Sequence, residues 1–190
     1  MTRIKNIIRR VYYKMFSTVD KEKNKEYRIK IDKGHHPIND AIFNFIISKL
    51  KLHRQRANRD HKNFIYLDIG CNIGVILKEI EGGTGVDNSK YIIELALEQG
   101  LNVQVADALD LPFEDNVFDV AILSCVLEQV ENWAEVLEEA KRVSRVVIGI
   151  NPLPGSEWGK KGGYVKSIIP MEFFSHIEVI PEIDKYYFEY

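Results

Sequence analysis

The chain has little of what several classes of protein require. Its 190 residues include two Cys, too few for a disulfide framework or, alone, for a four-ligand zinc site. Only 12 Gly and 6 Pro occur, which excludes a collagen-like chain, and a hydrophobic content of 45% excludes a disordered one. No uninterrupted apolar run approaches the ~18–20 residues that cross a bilayer. The composition therefore predicts a single globular domain with a full core.

The small net charge of −2 conceals two opposed parts of the chain. Residues 1–62 carry 17 Lys and Arg but 6 Asp and Glu, whereas residues 63–190 carry 9 and 22. The residue pattern also changes near residue 64: polar and basic residues precede it, and short apolar runs alternate with helical ones after it. We therefore predict a basic helical extension or cover over 1–62 and a ligand-binding domain over 63–190.

The first sixteen residues have the pattern of a basic amphipathic helix. Apolar residues from Ile4 to Met15 follow helical spacing, and Arg and Lys occupy the other faces. Such a helix packs on its own domain, lies on an anionic membrane, or binds a protein or RNA partner, and the sequence leaves these alternatives open. No apolar block with a small-residue cleavage site follows, so we expect a cytoplasmic protein.

From residue 64 onward, short apolar runs alternate with helical ones. Apolar strands separated by helices predict a parallel sheet that is covered on both faces. The last two runs, 173–180 and 185–190, predict an antiparallel pair added to this sheet. The predicted strands are 64–68, 83–87, 101–106, 117–123 and 145–150, and the predicted helices after the one that follows Pro37 are 73–80, 89–98 and 132–143.

The first strand runs into a tight, glycine-containing turn. The stretch from Asp68 to Gly74 has the spacing D-x-G-x-N-x-G, with Gly70 and Asn72 between. In a doubly wound sheet this turn meets the ligand, and glycine lets the backbone approach it closely. A carboxylate at the end of the strand repels a pyrophosphate but suits hydrogen-bond donors or a cation. The spacing therefore disfavours NAD and favours a ligand with positive groups.

Two further acids end the next two strands. Asp87 follows Asp68 by 19 residues, the place from which a carboxylate accepts hydrogen bonds from ribose hydroxyls. Its alternative role is to cap the next helix. Asp107 and Ala108 end the third strand, where a carboxylate and a backbone amide can meet the exocyclic amine and ring nitrogen of adenine. An ordinary polar strand end is the alternative here.

A fourth feature is the stretch over residues 118–143, an apolar strand followed by a loop and a helix. In this order the four features resemble the class I S-adenosylmethionine-dependent methyltransferases, and in particular their small type-11 domain group, whose fourth strand, loop and next helix the last feature resembles. The resemblance covers about residues 64–150 and implies a doubly wound, mostly parallel seven-stranded sheet with helices on both faces. Asn72 stands where the family has its middle glycine, and Gln129 stands where many relatives have His. The cofactor residues that the resemblance implies are Asp68, Gly70, Cys71, Asn72, Gly74, Asp87, Asp107, Ala108 and Ser124. Of these, Asp68 and the amides of residues 70–72 would hold the methionine end, directly or through water.

The resemblance also implies in-line transfer of a methyl group, catalysed mainly by positioning. We expect a small or medium-sized acceptor. The alternatives are an RNA or protein acceptor held by the basic N-terminus, and a non-catalytic cofactor-binding module. His35, His36 and Glu128 are the candidate catalytic residues, although surface positions are the alternative for all three. No cluster of metal ligands is evident in the sequence.

Overall fold

The computed structural model describes residues 37–57, 64–154, 167, 169–180 and 185–190. Within them, parallel strands alternate with helices, as the sequence predicts. The helices are α1 (Pro37–Arg56), α2 (Val75–Glu79), α3 (Lys90–Leu97) and α4 (Trp133–Val143), with short 3-10 helices at Leu127–Gln129 and Met171–Phe173. The strands are β1 (Tyr66–Ile69), β2 (Gly83–Asp87), β3 (Val103–Val105), β4 (Phe118–Ser124), β5 (Ser144–Pro152), β6 (His176–Ile180) and β7 (Lys185–Glu189).

All seven strands form one sheet, in the order β3-β2-β1-β4-β5-β7-β6. Strands β1 to β5 are parallel, while β7 runs antiparallel to both β5 and β6. The predicted terminal pair is therefore confirmed, and so is the doubly wound fold class. Because β7 is antiparallel, its first residue, Lys185, lies beside Pro152 at the carboxyl end of β5.

Helices cover both faces of the sheet, and alternate residues of β4 show this division. Val120 and Ile122 belong to the core shared with α1, α2 and α3, whereas Ala121 and Leu123 belong to the core shared with α4. Successive side chains of a strand point to opposite faces, so a central strand with two covered faces must be apolar throughout. The two cores fix the carboxyl ends of the strands, where the candidate site lies.

Helix α1 packs directly on this sheet. Its apolar side buries Ile42, Ile46 and Leu50 in the same core as Tyr187 of β7. Lys49 also forms an ion pair with Glu178 of β6, at 2.5 Å. The predicted boundary between two parts of the chain at residue 62 stays a prediction. Helix α1, which precedes this boundary, shares a hydrophobic core with the strands that follow it.

Three of the sequence-based predictions lie outside the described residues. They are the amphipathic helix over residues 1–16 and the candidate catalytic residues His35 and His36. Among the residues that are described, no helix is both long and apolar enough to span a membrane.

Candidate functional site

Asp68 is a buried carboxyl group near the end of the central strand β1. Its neighbours across the sheet are Gly85 of β2 and Ile122 of β4, and the side chain is 3% exposed. Burial, together with the negative charge of Asp87, raises the pKa of this carboxyl to about 8. Burial disfavours the ionised form of this carboxyl, so a ligand with a positive charge would form a strong interaction with it.

The turn after β1 has the backbone conformation that the sequence predicts. Gly70 and Gly74 have φ values of 71° and 77°, in the left-handed region where glycine is unstrained. Asn72 also lies there, with φ 51°, and its side-chain Oδ1 accepts a hydrogen bond from the amide of Ile73 at 2.9 Å. Asn is the residue that best replaces glycine in this conformation. The turn therefore keeps its shape despite the departure at position 72.

The backbone amides of this turn already have partners within the protein. Those of Gly70 and Cys71 both donate to the carbonyl of Val86, at 2.8 and 2.9 Å, and that of Asn72 donates to Asp87 Oδ2 at 3.1 Å. In this structure the three amides are thus occupied within the protein, and the expectation that they hold the methionine end, directly or through water, stays a prediction. The carboxyl groups of Asp68 and Asp87 lie at the two ends of this region, and carboxylate oxygens accept hydrogen bonds from an ammonium group and repel phosphate.

Asp87 links the first two turns at the edge of the sheet. One carboxylate oxygen, Oδ2, accepts the Asn72 amide, and the other, Oδ1, accepts the amide of Ser89 at 2.9 Å. Ser89, and not Asp87, is the N-cap residue of α3. Each carboxylate oxygen has a second lone-pair site, so Asp87 is positioned by two amides and keeps capacity for two hydroxyl donors.

Arg142 of α4 holds the segment that follows β3 in place. The guanidinium donates to the carbonyls of Leu111 and Phe113 and pairs with Glu139 at 2.6 Å. In the same segment, the Asp107 side chain is exposed and accepts a hydrogen bond from the amide of Leu109 at 3.0 Å. Ala108, between Asp107 and Leu109, is partly buried. The two predicted adenine-binding residues therefore lie in a segment that these hydrogen bonds hold in place.

The chain after β4 turns sharply into the 3-10 helix Leu127–Gln129. Ser124 ends the strand partly buried, and Cys125 has a left-handed backbone, with φ 57°. Glu128 is 3% exposed, so the alternative that placed it on the surface is wrong. Burial raises the pKa of the Glu128 carboxyl to about 7, against the opposing effects of the Lys185 charge and a hydrogen bond from the Cys125 thiol.

Three residues near Glu128 were missed by the sequence interpretation. Asn151, at the end of β5, is fully buried and donates through Nδ2 to the Tyr186 hydroxyl at 3.2 Å. Lys185 and Tyr186 open β7, and both are buried. The available signal was a Lys at the start of an otherwise apolar strand, since lysine is rarely buried without a partner. The described part of the chain contains no group of three or more potential metal ligands.

Comparisons with known proteins agree with this geometry. Residues 67–146 match the family described as "Methyltransferase domain". An uncharacterised protein of Methanocaldococcus jannaschii is 35% identical over 116 residues, and a demethylmenaquinone methyltransferase of Staphylococcus aureus is 30% identical over 140 residues. These alignments cover 59% and 65% of this chain and 53% and 58% of the relatives, so the chain spans little more than half their length.

The fold is also found among solved structures. An S-adenosylmethionine-dependent methyltransferase from Mesorhizobium loti superimposes with a TM-score of 0.55 and 17% identity. The match covers 70% of this chain and 94% of that one. At this identity the likeness establishes the fold alone.

Proposed function

The chain belongs to the class I S-adenosylmethionine-dependent methyltransferases, and from that premise we propose that it transfers the methyl group of this cofactor to a small or medium-sized acceptor. The observation that carries the proposal is the edge formed by Asp68, Asp87 and the left-handed turn between them. It presents acceptor oxygens, on the buried Asp68 and the partly buried Asp87, at the point where the family holds a cationic cofactor.

The residues at this edge fit the chemistry of the cofactor. Asp68 lies deepest and suits the ammonium group of the methionine end, since its burial makes a positive partner most valuable. The two amides that fix Asp87 leave oxygens for the two ribose hydroxyls. Asp107 and Ala108 follow the next strand, on the side where the adenine would extend. The cofactor supplies a methyl group on a positively charged sulfur, and the protein has to position it and exclude water.

A small acceptor is favoured by one relative and by the buried polar groups beside β5. The Staphylococcus aureus relative is named for a small-molecule acceptor, demethylmenaquinone. Glu128 and Asn151 are buried side chains, whereas an RNA or protein acceptor needs an open surface. The positive charge of residues 1–62 suits an RNA or protein partner. An RNA or protein acceptor and a non-catalytic role are therefore the alternative outcomes of the tests.

Calorimetric titration with S-adenosylmethionine and with S-adenosylhomocysteine tests the proposal. We expect both to bind the wild type, and Asp87→Ala to weaken binding tenfold or more because the ribose loses its acceptors. Asp110→Ala is the matched control, since Asp110 is an exposed acid three residues beyond Asp107, and we expect unchanged affinity. No binding by the wild type would contradict the proposed activity, and an unchanged affinity of the Asp87 variant would remove its ribose role.

A further inference from the structure

A buried polar cluster lies beside the cofactor edge, at the carboxyl ends of β4 and β5. It consists of Glu128, Asn151, Lys185 and Tyr186. The antiparallel course of β7 brings its first residues to this edge, where Tyr186 pairs with Asn151 in the sheet. Burial is the main cause of the raised pKa of both Tyr186 and Glu128. The charge of Glu128 adds to the rise at Tyr186, and the charge of Lys185 opposes the rise at Glu128, so the three side chains lie close together. Four side chains from three elements thus share one buried region.

Two atoms of this cluster have no hydrogen-bond partner among the described residues. They are Glu128 Oε2 and Asn151 Oδ1, on side chains that are 3% and 0% exposed. A buried polar atom without a partner destabilises the folded state, and here two such atoms belong to one cluster. An amide oxygen and an ionised carboxylate oxygen carry no proton, so both atoms can only accept hydrogen bonds when Glu128 is ionised. The molecule that would satisfy them must therefore donate.

We propose that Glu128 and Asn151 form the subsite for the methyl acceptor, and that this acceptor attacks through an atom that carries a proton, either a hydroxyl oxygen or an amine nitrogen. The inference rests on the proposed function. In the reaction, a bond forms between the acceptor atom and the methyl carbon, and the carbon–sulfur bond breaks with its electron pair going to sulfur. The proton of the acceptor passes to Glu128. The positive charge of the sulfonium and the negative charge of the carboxylate disappear together, so the step leaves the net charge of the buried site unchanged.

The neighbouring residues support this role for Glu128. A general base works best when its pKa is near the working pH, and the pKa of Glu128 is raised to about 7. Tyr186 donates to the carbonyl of Ile169 at 3.3 Å and accepts from Asn151 Nδ2, which fixes the amide with Oδ1 left over. Asn151 is thus a positioning group, and Glu128 is the group that takes the proton.

Fluorine NMR on the full chain, saturated with S-adenosylhomocysteine, tests the proposal without knowing the natural acceptor. The probes are 4-fluorophenol and 4-fluoroaniline, each compared with its fully methylated counterpart, 4-fluoroanisole and 4-fluoro-N,N-dimethylaniline. We expect at least one protic probe to bind fivefold or more tightly than its methylated counterpart. Preference for the phenol indicates a hydroxyl acceptor, and preference for the aniline indicates an amine. Equal binding of both pairs would overturn the proposal.

Glu128→Gln keeps the shape of the side chain and removes the base. We expect it to reduce the preference for the protic probe, because Asn151 Oδ1 and the Gln carbonyl still accept hydrogen bonds. We also expect it to abolish the rise that the wild type shows in its affinity for the protic probe as the pH passes through about 7. Glu131→Gln makes the same charge change at an exposed position three residues away and should leave both intact. Asn151→Ala, as a second variant, should weaken the protic probe alone. A purely structural Glu128 would alter stability but not this pH dependence. Failure to bind S-adenosylhomocysteine would instead refute the proposed function.

Discussion

Replacing Asp68 by Asn should stabilise the protein while it destroys cofactor binding. In the folded chain the pKa of Asp68 lies near 8, against an ordinary value of 3.8, because the carboxyl is buried and faces the charge of Asp87. Between these two values the folded state keeps a proton that the unfolded state has lost. The free energy of unfolding therefore falls as the pH rises from about 4 to 8. Asn has no such proton, so the variant escapes this loss.

The size of the effect follows from the width of that interval. Between pH 4.5 and 7.5 the loss amounts to roughly 4 kcal/mol, at about 1.4 kcal/mol for each pH unit. The difference in the free energy of unfolding between Asp68→Asn and wild type should widen by that amount over the same range. Urea denaturation at several pH values measures it directly. Other titrating groups are common to both proteins and cancel, so a change below about 1 kcal/mol would refute the argument.

The same carboxyl should couple cofactor binding to pH. If the ammonium group binds the ionised form, the affinity of the wild type for S-adenosylmethionine should rise about tenfold per pH unit between pH 5.5 and 7, with release of close to one proton. Calorimetry in two buffers of different ionisation enthalpy counts that proton. Asp68→Asn should bind weakly and show no such slope. A wild-type affinity that does not change with pH would exclude Asp68 as the partner of the ammonium group.

Two further predictions concern the turn between Asp68 and Asp87. Gly70→Ala should lower the free energy of unfolding by about 1–3 kcal/mol, because its φ is 71° and an added Cβ would lie 2.7 Å from Val126 Cγ2. Val126→Ala, added to that variant, should recover the part due to the clash but not the part due to backbone strain, as measured by urea denaturation. Asn72→Gly should change stability by less than about 1 kcal/mol, whereas Asn72→Val, with a β-branched side chain at φ 51°, should lose about 1–3 kcal/mol. Equal stability of the two Asn72 variants would contradict the left-handed conformation.

The cofactor edge could be predicted from the sequence because its determinants are local. Asp68, Gly70 and Gly74 lie within seven residues, and Asp87 ends the next strand, so strand–turn–helix order alone places them together. Local patterns do not reveal which groups the turn amides bond to in this structure. The carbonyl of Val86 takes two of them, and this depends on how β2 pairs with β1 rather than on any local pattern.

The acceptor side could not be predicted in this way, because it depends on the insertion of β7 between β5 and β6. Asn151 and Tyr186 lie 35 residues apart and pair only because β7 runs antiparallel to β5. Lys185, whose charge acts on Glu128, also comes from that strand, and no pattern within 118–143 reveals this neighbour. The division has a physical consequence. The cofactor side is built from short-range turns on consecutive parallel strands, whereas the polar cluster is built from long-range pairing, so a substitution in β7 can alter the acceptor subsite while the cofactor turn stays intact.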